Sequence, residues 1–353
     1  MNRPSVVIIG GGLSGLTLHY LLRKDGFDSV ILEARDRVGG RIVTAKDDKG
    51  ASIDLGATWL GPAHKRLQAL MNELKVAPFE QHMGEKAIYE PNSMTSHQIV
   101  TLPAGQQPSW RIRGGTSALI QALCNNVGAG RIHTGQQVRK ISEKNDKLLV
   151  VTETAEFGAD IVVSTLPPKL LWECVTFEPE LPKDISEIMS TTHTWMGESI
   201  KFGLSYDHPF WREKESTGTV FSNAGPITEM YDHSDIGGSH AALIGFLNSS
   251  YVSLTRDQRL EKILSQLRSY YGERTDSYRN YFELVWANEP FTYSPYDRHL
   301  LPHHNNGHEI YHMPLFDGTF FMAGAETSSI SPGYMDGAVR SSERVFKQIK
   351  EQF

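Results

Sequence analysis

Apolar positions along this chain fall into runs with different periods, and the periods change in a definite order. Val6–Ile9 is a continuous apolar run, the mark of a strand buried on both faces. Leu16, Leu18, Leu21 and Leu22 follow at helical spacing, and Ser29–Leu32 is a second strand ending on Glu33. A helix is predicted from about His64 to Leu74, and a hairpin over Lys86–Thr101 that turns at Glu90-Pro-Asn-Ser93. Arg113-Gly-Gly-Thr116 opens a helix through Leu123. Strands follow around Ile132, over Gln136–Ser142 and Leu148–Thr152, and over Ala159–Thr165, which Pro167-Pro168 halts. Ser199–Ser205 alternates apolar and polar residues. With His240–Leu247 and Tyr281–Trp286 it predicts an antiparallel sheet, crossed by a helix over Asp257–Tyr271. A last strand, Thr319–Ala323, runs into Gly324-Ala-Glu-Thr327 and an amphipathic helix carrying Ala338, Val339, Val345, Phe346 and Ile349.

The loop after the first strand narrows the chemistry. Gly10, Gly12 and Gly15 form G-x-G-x-x-G between strand and helix, with Leu13 and Ser14 inside the motif. Gly10 permits the tight turn, Gly12 lets backbone approach a pyrophosphate, and Gly15 lets helix pack on strand. The helix start presents free N–H groups and a positive dipole end to an anion. Glu33, eighteen residues beyond Gly15, is placed to accept from a ribose hydroxyl. Gly39-Gly40 offers a second close approach of backbone to a diphosphate, and Arg41 a cationic fork beside it. Nucleotide-type segments recur at the start, middle and end of the chain. They predict an α/β fold: a discontinuous Rossmann-like dinucleotide domain (1–76, 113–190 and 289–353) with an inserted mixed α+β substrate domain on an antiparallel sheet (77–112 and 191–288).

Composition removes other readings. A net charge of −6, with Lys and Arg scattered, provides no basic surface for nucleic acid. Cys124 and Cys174 are the only cysteines, too few for a disulfide framework or a metal site. His303, His304, His308 and His312 lie in a polar loop that no Cys or paired carboxylate completes, so no metal is expected. No apolar run approaches the roughly twenty residues of a membrane span. The first strand begins within five residues of Met1, leaving no room for a signal peptide. A cytoplasmic protein is expected.

The run Glu33-Ala34-Arg35-Asp-Arg-Val-Gly-Gly40-Arg41 and the block Phe320-Phe-Met-Ala-Gly-Ala-Glu-Thr-Ser-Ser-Ile-Ser-Pro-Gly-Tyr-Met-Asp-Gly-Ala338 resemble the flavin-containing amine oxidase family, which includes monoamine and polyamine oxidases. The resemblance implies FAD, an amine substrate and O2. It places Gly324, Glu326, Gly333 and Met335 along the flavin and ribityl chain, with the final helix starting near Gly333-Tyr-Met335. Tyr334 becomes one wall of an aromatic cage in front of the flavin. The stretch Trp286-Ala-Asn-Glu-Pro-Phe-Thr-Tyr-Ser-Pro-Tyr296 makes Tyr296 the second wall, Tyr293 being a rival, and packs Trp286 near the ring. Pro295 stands where some members carry the cysteine that tethers the flavin, so FAD is expected to be non-covalent. Asp54-Leu-Gly-Ala-Thr-Trp59 resembles the segment that passes the flavin, with Gly56, Ala57 and Thr58 as backbone contacts and Trp59 lining the cavity. Val138 matches an adenine-packing position. Taken alone, Lys201 on an alternating strand points to solvent; the family's G-x-x-x-K…P-F-W pattern instead makes it the lysine that holds a water at flavin N5.

The chain departs from the family between Leu74 and Arg113, where fewer than forty residues stand in for about a hundred residues of helical cap. A site closed by a second copy or a partner is one consequence. No arginine is clearly placed to clamp a substrate carboxylate, though Arg111 and Arg113 are available. The expected reaction takes an amine to its imine, then aldehyde and ammonia, with O2 reduced to H2O2. The alternatives are a flavoprotein dehydrogenase or desaturase, an L-amino-acid oxidase, or a flavin-binding subunit completed by a partner.

Overall fold

The computed structural model describes residues 3–353 apart from 106, 129, 214 and 215. Its first sheet orders five strands as Phe320–Met322, Ile161–Ser164, Ser5–Ile9, Asp28–Leu32 and Ile132–His133, all paired parallel. The strands at 5–9 and 161–164 are almost wholly buried, as continuous apolar runs in a parallel sheet must be. Helices Leu13–Lys24 and Met335–Gln352 pack against each other, with Ser14 Oγ 2.8 Å from Ser342 Oγ. The fold is therefore α/β with a Rossmann-like opening.

A second sheet orders seven strands as Asn280–Val285, Ile200–Tyr206, Ala241–Leu247, Ile227–Asp232, Val220–Ser222, Lys86–Glu90 and Gln98–Thr101. It is antiparallel except where Val220–Ser222 meets Lys86–Glu90. The hairpin at 86–101 thus extends a large sheet instead of standing alone. Helix Arg256–Tyr271 begins at a Thr255/Gln258 capping box and buries Ile263, Leu264 and Leu267 against Phe202 and Leu204. A four-stranded sheet (Glu156–Ala159, Lys147–Thr152, Val138–Lys144, Thr176–Glu178) completes the main layers.

Every residue of Ile200–Tyr206 is buried, which corrects the solvated reading of its lysine. Ile200, Phe202, Leu204 and Tyr206 face the helix-covered core. The opposite face is covered as well: a side chain at Gly203 would come within 2.3 Å of Ile53. The alternation reflects two different neighbours and not an inside and an outside.

One buried carboxylate ties two helices together. Asp336 accepts from the N–H groups of Arg66 and Leu67, each at 2.9 Å, at the start of helix Lys65–Glu73, and pairs with Arg340 at 2.5 Å. Replacing Asp336 with Ala strands two helix-start donors and a guanidinium, and is expected to cost about 2 kcal/mol. Urea unfolding checks this, with Asp336→Asn expected to lose less.

Candidate active site

A cavity of about 950 Å³ opens where the two large sheets meet. The first sheet brings Gly10, Gly12, Leu13 and Ser14 to it from the glycine loop, and Glu33, Ala34 and Arg35 from the end of its neighbouring strand. Gly40, Arg41, Gly56, Ala57, Thr58 and Trp59 line the middle. Val138, Lys201, Trp286, Gly324, Gly333, Tyr334 and Met335 complete the expected residues found on its wall. Gly15, Glu326 and Tyr296 do not line it.

Close backbone approach explains the glycines. Gly10 has φ +103°, a conformation that side-chain-bearing residues rarely adopt. A Cβ on Gly15 would lie 2.0 Å from the Gly10 carbonyl oxygen, so Gly15 supports the loop from behind. Gly39 N–H donates to Gly11 O at 2.8 Å, and a Cβ on Gly40 would come 3.2 Å from the Gly12 Cα. The two glycine runs therefore face each other with bare backbone.

Glu33 accepts from Gly11 N–H at 2.7 Å and from Arg35 N–H at 2.9 Å, which fixes its carboxylate at the cavity wall. A carboxylate has about four acceptor directions, so capacity remains for hydroxyl groups. Both arginines on the wall are paired. Arg41 meets Glu326 in a fork at 2.6 and 2.8 Å, and Arg35 meets Glu289 at 2.9 Å. Glu326 is buried and also accepts from Trp195 N–H, so it orients Arg41 from behind the cavity and does not reach into it. Arg111 and Arg113 line a separate, smaller cavity.

Lys201 is 1% exposed, and its ammonium donates to Gly56 O at 2.8 Å and to Thr58 Oγ1. It sits 4.7 Å from the Trp59 ring centroid and 5.2 Å from that of Phe246. Burial is the main cause that brings it down to about pKa 7; Asp54 pulls it back up and Arg111 pushes it further down.

The aromatic surroundings of Tyr334 differ from the expected pair. The Tyr296 hydroxyl donates to Thr192 O at 2.9 Å and accepts from Thr194 N–H at 2.8 Å, which holds it against the 192–194 backbone and away from the cavity. Trp195 stands beside Tyr334 instead, with ring centroids 5.6 Å apart. Trp195 stacks on His303 at 3.9 Å, and a Cβ on Gly333 would strike it at 2.6 Å. His64 and His303 flank the Tyr334 ring at 5.7 and 5.8 Å, and burial lowers both imidazoles below their ordinary range. Tyr334 itself is 41% exposed and Met196 37%, so the rim is open. Trp195 and Phe246 carried no motif. Phe246 is legible only through its register opposite Lys201.

Comparison with known proteins now decides the class. A family model of flavin containing amine oxidoreductases matches residues 92–349, and one of NAD(P)-binding Rossmann-like domains matches 8–74. The chain belongs to the flavin-containing amine oxidoreductases. Among its relatives are a probable flavin-containing monoamine oxidase A of Dictyostelium discoideum and the flavin-containing amine oxidase B of Homo sapiens. The first is 24% identical, over 98% of this chain and 97% of that protein; the second is 25% identical, over 99% and 86%. Similar solved structures include a putrescine oxidase bound to putrescine (TM-score 0.86, 20% identity) and the cyclohexylamine oxidase of Brevibacterium oxydans IH-35A (TM-score 0.85, 18% identity). Each match covers 99% of both chains.

As a member of this family the protein is an oxidoreductase acting on amines, and its cofactor is FAD. The cavity fits that group: opposed bare glycines leave room for a diphosphate, and the Glu33 carboxylate is anchored on the wall beside them. The Dictyostelium alignment runs over 453 positions against 353 residues here, with both ends matched. About a hundred internal positions of that amine oxidase therefore have no counterpart. Among the described residues from 75 to 112 there is no helix, only short strands. No helix of the described residues is long and apolar enough to cross a membrane.

Burial of Lys201 makes a stability prediction independent of activity. Its folded value of about 7 lies below the roughly 10.4 of an exposed lysine. Between those values the unfolded chain binds the proton more strongly, so stability rises with pH. The stability of Lys201→Met relative to wild type is therefore expected to be most favourable near pH 7 and to decline toward about pH 10. Urea titrations across that range read the slope; a flat difference would refute the depressed value.

Proposed function

We propose that the cavity oxidises a plain amine at its α-carbon with O2 as electron acceptor: RCH2NH2 + O2 + H2O gives RCHO, NH3 and H2O2. The observation that carries this reading is Lys201, a buried amine with no carboxylate partner, on the same cavity wall as Trp286, Trp59 and Tyr334. Paired Arg35 and Arg41 leave no free guanidinium on that wall, which favours amines over amino acids.

FAD supplies the two-electron acceptor when bound. The Gly10–Ser14 loop and the Gly39–Arg41 turn would hold its diphosphate, Glu33 its ribose, and Val138 its adenine. Gly56–Thr58, Gly324 and the helix start at Gly333–Met335 would receive its flavin end, where helix N–H groups stabilise developing negative charge by about 1 kcal/mol. Tyr334 and Trp195 would orient the amine. Lys201 would hold a water, and its cationic form would favour electron transfer to O2. Pro295 has no thiol to form a thioether to the flavin, which supports a non-covalent cofactor. The segments 1–76, 113–190 and 289–353 would carry FAD, and 77–112 with 191–288 would face the substrate. The open rim at Tyr334 and Met196 favours a wet site, with modest turnover and broad selectivity until a second copy or a partner covers it.

An amine panel with peroxide detection tests the reaction. Simple primary amines are expected to yield peroxide and aldehyde, with all yellow colour released as FAD by acid. Amine-dependent dye reduction without peroxide would indicate a dehydrogenase.

Lys201→Met is expected to slow reoxidation by O2 at least tenfold while leaving reduction by amine within about threefold, as loss of a cation near the electron-transfer site implies. Stopped-flow measurement of both half-reactions separates them, and unchanged reoxidation would remove Lys201 from the oxygen step.

A further inference from the structure

The histidine-bearing loop at 303–312 takes no part in the reaction proposed above, yet its first residues are zipped to the segment that carries Trp195. His193 N–H donates to His304 O at 2.9 Å, His303 N–H to His193 Nδ1 at 3.4 Å, and Asn305 Nδ2 to Thr191 Oγ1 at 2.9 Å. Gly307 N–H donates to Glu326 O at 2.7 Å, which ties the loop to the turn bearing the buried carboxylate. Among the described residues no group of histidines, cysteines and carboxylates is arranged to hold a metal ion. His303 does something else: it meets the cavity wall through Trp195.

The Trp195 backbone is fixed by the Arg41–Glu326 pair. Its N–H donates to Glu326 Oε1 at 3.2 Å, and its carbonyl accepts from Arg41 Nη1 at 3.2 Å. A fixed backbone still leaves the indole free to change rotamer. Two contacts remove that freedom. The His303 ring lies on the indole, with centroids 3.9 Å apart and planes 20° from parallel. At Gly333 an added Cβ would stand 2.6 Å from the Trp195 Cβ, so the bare glycine closes on it there. Trp195 and Tyr334 line the cavity and His303 does not. His303 also carries φ +62°. Histidine tolerates that region better than most residues, but glycine fits it at no steric cost. A ring therefore stands where the backbone alone would favour glycine.

We propose that His303 is a positioning residue for the amine site: it holds the Trp195 indole beside Tyr334 before substrate arrives, and so sets the affinity for the amine without touching it. The inference rests on the amine oxidation proposed above. A wall that is already ordered need not be ordered by the substrate, and the entropy spared appears as tighter binding. His303 makes and breaks no bond, so its effect falls on binding and not on the chemical step.

Two variants of the FAD-loaded protein separate the ring from the backbone. His303→Gly removes the ring but suits the positive φ, so its urea stability is expected to change little. Its KM for a simple primary amine is expected to rise about fivefold, with kcat within about twofold of wild type. His303→Phe keeps a ring over the indole and strains the backbone. It is expected to lose stability and yet return KM to within about twofold of wild type. A role confined to folding predicts the reverse order. In a Trp195→Ala background His303→Gly is expected to add nothing further to KM. Crystals of FAD-loaded His303→Gly are expected to show the Trp195 indole turned or in more than one rotamer. That readout needs no turnover, so it tests the positioning role even if no amine is oxidised. Should His303→Gly fail to load FAD, His303→Asn, which also tolerates positive φ, takes its place. An unmoved indole, an unchanged KM, or a KM that follows urea stability across the variants would overturn the proposal.

Discussion

The cavity depends on bare backbone. A Cβ on Gly15 would stand 2.0 Å from Gly10 O, and one on Gly56 2.0 Å from Arg41 O. Gly12 and Gly40 face each other with no side chain between. These approaches bring the glycine loop, the 39–42 turn and the 56–59 segment around one space. Neither large sheet alone supplies all the residues found on its wall. The glycine loop comes from the parallel sheet; Lys201 and Phe246 come from the antiparallel one. Substituting Gly15 or Gly56 would push apart segments that must converge.

Charge inside that space is managed by pairing, with one exception. Arg41 is held by Glu326 and Arg35 by Glu289, so the cationic groups nearest the glycine loops are neutralised and fixed. Lys201 has only a carbonyl and a hydroxyl as acceptors. The ammonium is thereby made easy to deprotonate and remains able to offer a further donor to the cavity. Such a group on a mostly apolar wall is an electrostatic element whose state responds to what is bound, which is why it anchors the proposed oxygen chemistry.

Much of this was legible from residue order. The glycine spacing, Glu33 after the second strand, and the block from Phe320 to Ala338 each combine a period change with glycines that no ordinary helix or strand would carry. The seven-stranded sheet was legible only in part. Val220–Ser222 and Ile227–Asp232 are short and mix polar with apolar residues, so neither stood out, and the 86–101 hairpin gave no sign of the sheet it joins. Register along a motif did not predict side-chain direction at Tyr296, whose hydroxyl is drawn to the 192–194 backbone. Trp195 takes the place beside Tyr334 through a contact 139 positions apart in the chain, which local pattern does not encode. Glu326 and Arg41 were both recognised as site residues, but their pairing, and so the loss of a free fork, required the fold.

The proposed activity is amine oxidation at the α-carbon with electrons leaving through FAD. Anaerobic titration of the FAD-loaded protein with a simple primary amine tests this most directly. One equivalent of amine should bleach the yellow colour completely and yield one equivalent of aldehyde, and an amine deuterated at the α-carbon should bleach it more slowly. Yellow colour that persists with every amine offered, or bleaching at the same rate for the deuterated amine with no aldehyde formed, would contradict it.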